Sequence, residues 1–515
     1  MEVALSSIDL LTLGLYLLGM VALGFYFARR NNSTEEYFLG NRAFKGWVIG
    51  LSMLSTSISS ITFLAFPAAA FTLDWRQFIS NLMLPLAAVL AIIFFIPFFR
   101  RGKLTSAFEY LGERFGPIAR LYGTLSFLIL QILRIGQILF LVAIPVNLFT
   151  GIPIVWTIGL LGLFIGFYSV IGGIEAVIWT DVIQAFVLWL GGILCLALMI
   201  YQLPNGFSQV FSVASDFDKF SVGSTDWNLG ERTFWTVALL GIFHFLAMYS
   251  SDQNIIQRYV AARSTQEAKK ATIIYSVVAL PTWALFFFIG TTLFVFYTVF
   301  PDNTINQLEA DQVFPYFILT NLPTGVAGLV LAAVLAAGMT TLDSSINAIA
   351  TVSVIDIFKP YWLKNRSDRT YLRVARFIAI GVSLLMVSGA VFFSAIEKES
   401  VNDLSWIVAS VFGGCLVGLF LLGFFTTRVG YRAALIALLI SITVNVYLGL
   451  GLAGCLPEAW TLNVQSFWVG VIVILLFIGL ANLLSFIFTH QQGLAGLTVW
   501  TMPAKNQQTS EQHVR

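Results

Sequence analysis

The stretch S-M-L-S-T-S-I-S-S-I-T, Ser52 to Thr62, decides how this chain is read. Seven of its eleven residues carry a hydroxyl, yet it lies inside an apolar run, Trp47 to Phe71, long enough to cross a bilayer. A span that only anchors a protein has no use for such a cluster. Hydroxyls at that depth replace backbone hydrogen bonds freed where a membrane helix breaks, and they bind polar cargo there. They also glue helices together by bonding to their own helix or a neighbour, so the cluster by itself leaves both readings open. Its density and Pro67 just beyond it favour a break.

The rest of the chain supplies the context. Its 515 residues are 58% hydrophobic and only 10% charged, with mean hydropathy +0.87. A soluble protein of this length needs more charge to cover its surface, so the expected class is an all-α polytopic membrane protein in a lipid bilayer. The formal net charge of +2 identifies no partner, and no nucleic acid is expected. Cys195, Cys415 and Cys455 are scattered, without a disulfide framework or metal spacing. No nucleophile–base pair, metal cluster or phosphate-binding loop marks an enzyme. Glu2 and the lack of a basic leader region predict that the first span is retained.

Apolar runs of membrane length fall at about 8–28, 46–72, 77–99, 118–149, 153–171, 176–201, 233–251, 271–300, 323–357, 371–395, 403–426, 430–453 and 463–489. Thirteen helices are therefore expected in one transporter domain, residues 1–489, followed by a polar tail, 490–515. Loops on one side, with the tail, hold 23 of the 28 Lys and Arg residues, which puts the N-terminus outside and the C-terminus in the cytoplasm. A leading helix (8–28), two five-helix halves of opposite topology (46–201 and 233–426) and two C-terminal helices (430–489) account for the count. In such designs the first helix of each half unwinds at the binding site. The hydroxyl cluster belongs to the first helix of half one. Trp235–Ser251, with His244, Ser250 and Ser251, is its counterpart in half two. A short amphipathic helix, Gln307–Leu322, is expected to lie over one membrane face.

Three further features carry chemistry. L-A-A-G-M-T-T-L-D-S-S, Leu335–Ser345, sets Ala337, Thr340, Thr341, Ser344 and Ser345 at helical spacing along one stripe. Such oxygens suit a hard monovalent cation, Na+, once carbonyls of an unwound helix complete the shell; a small-residue packing seam is the alternative. Asp181 lies near one end of the sixth span and reads either as an ion or proton site or as an interfacial carboxylate. Arg134 lies sixteen residues into the fourth span, beyond easy reach of water. Its guanidinium needs an anionic partner, and the candidates are a substrate carboxylate, Asp343 or a set of carbonyls. Gln77 and Asn81, one turn apart, suit a polyhydroxylated solute. Phe63, Phe78 and Phe245 are candidate gates, and His244 reads first as an interior histidine.

At these residues the chain resembles the sodium:solute symporter family, from about Thr34 to Phe425. The resemblance rests on E-E-Y-F-L-G-N-R (Glu35–Arg42), G-G-I-E-A-V-I-W-T-D-V-I-Q (Gly172–Gln184), D-Q-N-I-I-Q-R-Y-V-A-A-R-S (Asp252–Ser264) and the Leu335–Ser345 stripe. It implies a leucine-transporter-like 5+5 inverted repeat and alternating access. It also implies a sodium site at the carbonyls of Ser55, Ile58 and Ala337 with the hydroxyls of Thr340 and Thr341. A second site, present in some members, maps onto Asp181, Thr341, Ser344 and Ser345. Within the family, S-S-I-T-F (Ser59–Phe63), T-L-D-W (Thr72–Trp75) and the mid-span arginine are similar to the bacterial sialic acid symporters. That similarity implies that Arg134, Ser59 and Thr62 meet a carboxylate and that Asn81 contacts the sugar; with Ser57, Gln77 and Phe245 they make up the expected substrate set. The segment around Phe245 is more apolar than that set leads one to expect. The expected protein is a sodium-coupled importer of a carboxylated sugar in a bacterial cytoplasmic membrane, functional as a monomer. A neutral sugar, monocarboxylate or amino acid as cargo, and a substrate sensor or sodium channel, are the other readings.

Overall fold

In a bilayer core each backbone N–H and C=O must be paired within its own segment, so long apolar runs become helices. The computed structural model describes residues 6–28, 33–101, 104–228, 230–396, 413–452, 454–462, 464–488 and 493–501. Its helices are α1 (Ser7–Ala28), α2 (Thr34–Leu39), α3 (Gly46–Ser57), α4 (Phe66–Thr72), α5 (Phe78–Leu82), α6 (Leu84–Leu90), α7 (Ile96–Arg101), α8 (Ala107–Phe115), α9 (Pro117–Thr150), α10 (Ile154–Gln202), α11 (Gly206–Asp216), α12 (Phe234–Ser251), α13 (Gln253–Ala261), α14 (Thr265–Val299), α15 (Ala310–Asn321), α16 (Val326–Val352), α17 (Asp368–Ser394), α18 (Gly413–Phe425), α19 (Tyr431–Leu452) and α20 (Ser466–Leu484). Among the described residues the one β-bridge joins Phe44 and Ala262.

Ten described stretches are long and apolar enough to cross a membrane, and the bent pair Gly46–Ser57 and Thr62–Thr72 makes eleven. Ile154–Val170 and Gly413–Phe425 are shorter apolar helices. The expected spans 153–171 and 176–201 run together as α10, kinked where Gly173 takes φ 62°; that left-handed region suits a residue without a Cβ. The expected span 403–426 is described from Gly413 onward, and most of the tail 490–515 lies outside the described residues.

Helix α16 is the hub. It packs on α10, α9, α1, α17 and α3, and its residues from Val330 to Val352 are buried all round. Its run of Ala, Gly, Ser and Thr lets those neighbours approach closely.

Helix α13 is the second buried element, and a polar one. Gln253, Asn254, Gln257 and Arg258 are each at most 2% exposed. Gln253 accepts from Ala107 N at the start of α8 and donates to Thr105 O. Gln257 donates to Phe38 O, Asn347 Oδ1 and Thr351 Oγ1. At the C-terminal end, Arg100 Nη1 donates to the carbonyls of Val260 and Ala262, each at 2.7 Å, groups that a helix end leaves unpaired. Polar side chains thus clamp the helix from several directions.

The amphipathic helix expected at Gln307–Leu322 forms as α15, but not as a surface lid. Phe314 and Phe317 are buried, and Phe314 stacks on Phe63 with centroids 5.6 Å apart. Three adjacent Phe side chains (Phe63, Phe286 and Phe314) bury more apolar area than a superficial placement would. Beyond α4, Lys219 Nζ donates to Phe71 O and Leu73 O and lies 4.0 Å from the centre of the Phe294 ring. Burial lowers the ammonium pKa there, while the carbonyls and ring face its charge.

Candidate ion and substrate site at two helix breaks

The helix that carries the hydroxyl cluster does break. α3 ends at Ile58, whose φ −95° and ψ 104° are extended, and a π turn, Ile61–Ala65, restarts the helix after a 66° bend. The second break differs from the expected one. Trp235–Ser251 stays helical as part of α12, and the chain is extended one residue later, at Asp252 (φ −84°, ψ 112°). Asp252 is an N-cap whose Oδ1 accepts from Asn254 N and Asn254 Nδ2, each at 2.9 Å. A capping carboxylate lets the chain restart a helix immediately, so the break falls on it and not among His244, Ser250 and Ser251.

At the first break, Thr340 Oγ1 lies 2.9 Å from Ser55 O, 3.4 Å from Ile58 O and 3.0 Å from Ala337 O. Four of the five atoms mapped to the first sodium site are therefore gathered around one hydroxyl. That hydroxyl has one proton to offer three carbonyls, an oxygen-rich arrangement of the kind a hard cation accepts. Thr341 Oγ1, the fifth, reaches Thr56 O at 3.3 Å.

Around Asp181 the structure adds a partner. Asp181 is fully buried, which excludes the interfacial reading, and its Oδ2 accepts from Ser52 Oγ at 2.5 Å and Arg258 Nη2 at 2.7 Å. Arg258, on α13, also donates to Ser52 Oγ and Ser344 Oγ, each at 2.8 Å, and Ser344 Oγ lies 3.3 Å from Thr56 Oγ1. Asp181 Oδ1 is buried without a hydrogen-bond partner among the described residues. Of the four residues mapped to the second sodium site, Ser345 is turned away, donating to Gln131 Oε1 at 3.2 Å. Neighbouring helical residues point about 100° apart, so Ser344 and Ser345 face different elements. Asp343 also leaves the stripe's cation side. It is fully buried and accepts from Tyr168 OH at 3.0 Å and from Ser344 N at 2.6 Å.

Arg134 therefore does not pair with Asp343. Its Nη1 lies 4.0 Å from Asp252 Oδ2, and 41% of its side chain is exposed. His244 is exposed on α12. Phe245 is buried and stacks on Trp283 with centroids 5.9 Å apart. Helix α12 meets α5 where a Cβ on Gly241 would fall 2.4 Å from Ser80 O, so only glycine fits there. The adjacent Asn81 is buried, and its Nδ2 has no partner among the described residues. Gln77 starts α5, its carbonyl accepting from Ser80 Oγ. Ser59 and Thr62 are buried at the first break, and Ser57 Oγ bonds back to Met53 O.

A model of the sodium:solute symporter family matches residues 37–441. The chain belongs to the sodium:solute symporter family. Its relatives include the sodium/sialic acid symporter NanT of Aliivibrio fischeri, 33% identical over 85% of this chain and 86% of that protein. The sodium/sialic acid symporter SiaT of Proteus mirabilis is also 33% identical, over 83% and 86%. A solved Na+-coupled sialic acid symporter, in a substrate-bound outward-open state that reveals a novel Na+ site, superposes with TM-score 0.87 and 30% identity over 95% of this chain and 99% of that one. The family is one of integral membrane transporters, not enzymes.

Within this symporter, Arg258, Asp252 and Ser52 are the site residues that sequence reasoning missed as functional. The available signal was D-Q-N-I-I-Q-R, a polar run in a chain that is only 10% charged.

Proposed function

We propose that this protein is a sodium-driven importer of a carboxylated sugar, most specifically N-acetylneuraminate, working by alternating access in a bacterial cytoplasmic membrane. The observation that carries the reading is Arg134. A permanently charged guanidinium stands in the middle of α9 beside the second helix break, and 41% of it is uncovered. Its fork matches a carboxylate. Asn81 Nδ2, which has no partner among the described residues, suits with Gln77 the hydroxyls of the same sugar.

Sodium is the driving cargo. An ion at the first break would take the carbonyls of Ser55, Ile58 and Ala337 and the hydroxyls of Thr340 and Thr341, fastening α3 to α16. Ser59 and Thr62, immediately beyond, would meet the substrate's carboxylate, so one broken turn touches both cargoes. A second ion would use Asp181 Oδ1 with Thr341 and Ser344. Each sodium entering down 100 mV gains about 2.3 kcal/mol from voltage. Thirteen spans, ten of them in two inverted five-helix halves with one leading and two C-terminal helices, an outside N-terminus and a monomeric working unit complete the reading. The stacked pair Phe245–Trp283 favours, as a second reading, a smaller and less hydroxylated carboxylate.

Purified protein in proteoliposomes should accumulate N-acetylneuraminate only under an inward sodium gradient. Uptake unchanged in potassium or choline would remove the reading. Arg134→Lys keeps the charge and loses the fork, and should weaken N-acetylneuraminate binding about tenfold or more. Unchanged affinity would point to a neutral cargo.

A further inference from the structure

Arg134 faces the protein's own carboxylate. Asp252 Oδ1 is occupied by Asn254 N and Nδ2, which leaves Oδ2 directed at Arg134 Nη1, 4.0 Å away. That separation gives charge compensation without a close hydrogen bond. Asp252 is also held on a rigid mount. Its carbonyl accepts from Ile255 N and Ile256 N at the first turn of α13, and that helix is clamped by Gln253, Gln257 and Arg100. The carboxylate is therefore the fixed partner, and Arg134, 41% exposed, is the one that can turn from it to a cargo. The same helix carries Arg258 into the Asp181–Ser52–Ser344 network.

We propose that Asp252 is a specificity-determining residue of the substrate site, an internal carboxylate that competes with the cargo's own for Arg134. The proposal rests on the reading of Arg134 given above. With no substrate present, Asp252 neutralises the guanidinium, so the empty carrier does not carry an unpaired charge back through the membrane. An arriving carboxylate displaces that contact, while a neutral sugar leaves Arg134 paired with Asp252 and gains nothing from it. The competition lowers the affinity for an anion by the fraction of time Arg134 is free. It also assists release, because Asp252 takes the cargo's place.

The test is substrate binding to the full-length protein at saturating sodium, measured with N-acetylneuraminate and with its neutral methyl ester. Asp252→Asn removes the competing charge and keeps both the N-cap and its length. If Arg134 is paired about nine-tenths of the time, N-acetylneuraminate should bind roughly tenfold more tightly. The affinity of the ester should stay unchanged, and the maximal uptake rate should fall. Asp252→Ser is also a competent N-cap and gives the same comparison should the Asn variant fold poorly. Unchanged or weaker N-acetylneuraminate binding in the folded variants overturns the proposal, as does equal tightening of acid and ester. The Arg134→Lys result separates the two failures. If it leaves the affinity unchanged, the reading of Arg134 fails; if it weakens binding while the Asp252 variants do not tighten it, only the competition fails.

Discussion

The two helix breaks use almost the same backbone device and opposite electrostatics. Ile58 (φ −95°, ψ 104°) and Asp252 (φ −84°, ψ 112°) are extended residues that interrupt helices and free backbone groups. At Ile58 the freed carbonyl faces a neutral donor, Thr340 Oγ1, which also lies beside the carbonyls of Ser55 and Ala337. At Asp252 a carboxylate caps the restart and faces Arg134. A cluster of uncharged oxygens suits a small cation, and a cation held beside a displaceable carboxylate suits an anion. The same geometry thus offers two cargoes different sites because the residues around it differ.

The two regions are tied together by Arg258, six residues past the second break, which binds Ser52, six residues before the first. Arg258→Met should have the largest effect. It leaves Asp181 buried and uncompensated, a loss of about 3–5 kcal/mol, read as a lowered thermal unfolding transition. Asp181→Asn in the same background should recover most of it. If Arg258→Met unfolds at the wild-type temperature, the breaks are not fastened through this pair.

Thr340→Ala tests whether the first break is the sodium side. The lost hydroxyl lies within hydrogen-bonding distance of three carbonyls. A hydrogen-bonding contact to a charged group contributes about 1.5–3 kcal/mol, so the sodium concentration for half-maximal uptake should rise about tenfold. Substrate affinity at saturating sodium should hold. A change in substrate affinity alone would reverse the assignment of the two breaks.

Ser345→Ala should do least. Its hydroxyl serves Gln131, so about 1 kcal/mol of stability is expected to go, with the sodium dependence of uptake unaltered. A sodium dependence shifted as far as that of Thr340→Ala would return Ser345 to the ion-binding stripe.

Much of this was legible along the chain, because it rests on local rules. Composition and apolar runs gave a helical membrane protein, and the dense hydroxyls of Ser52–Thr62 marked a break that α3 confirms at Ile58. Arg134 was conspicuous because a guanidinium so far into an apolar run is costly without a partner. The partners were not legible. Asp181 and Arg258 are 77 residues apart, and Arg134 and Asp252 lie on separate helices. Helical periodicity placed Thr340, Thr341, Ser344 and Ser345 on one broad stripe, but which of them faces α3 depends on how α16 is rotated against its neighbours.

The sequence alone determined the class, the family resemblance and the first break, since hydropathy, hydroxyl density and motif spacing are properties of consecutive residues. Only the tertiary structure decided that the second break sits at Asp252, that Ser345 looks toward Gln131, and that Arg258 and Arg134 each have a carboxylate opposite them. Those outcomes depend on packing between distant segments, where small residues set how closely helices approach and a buried charge must find a carboxylate or a set of carbonyls.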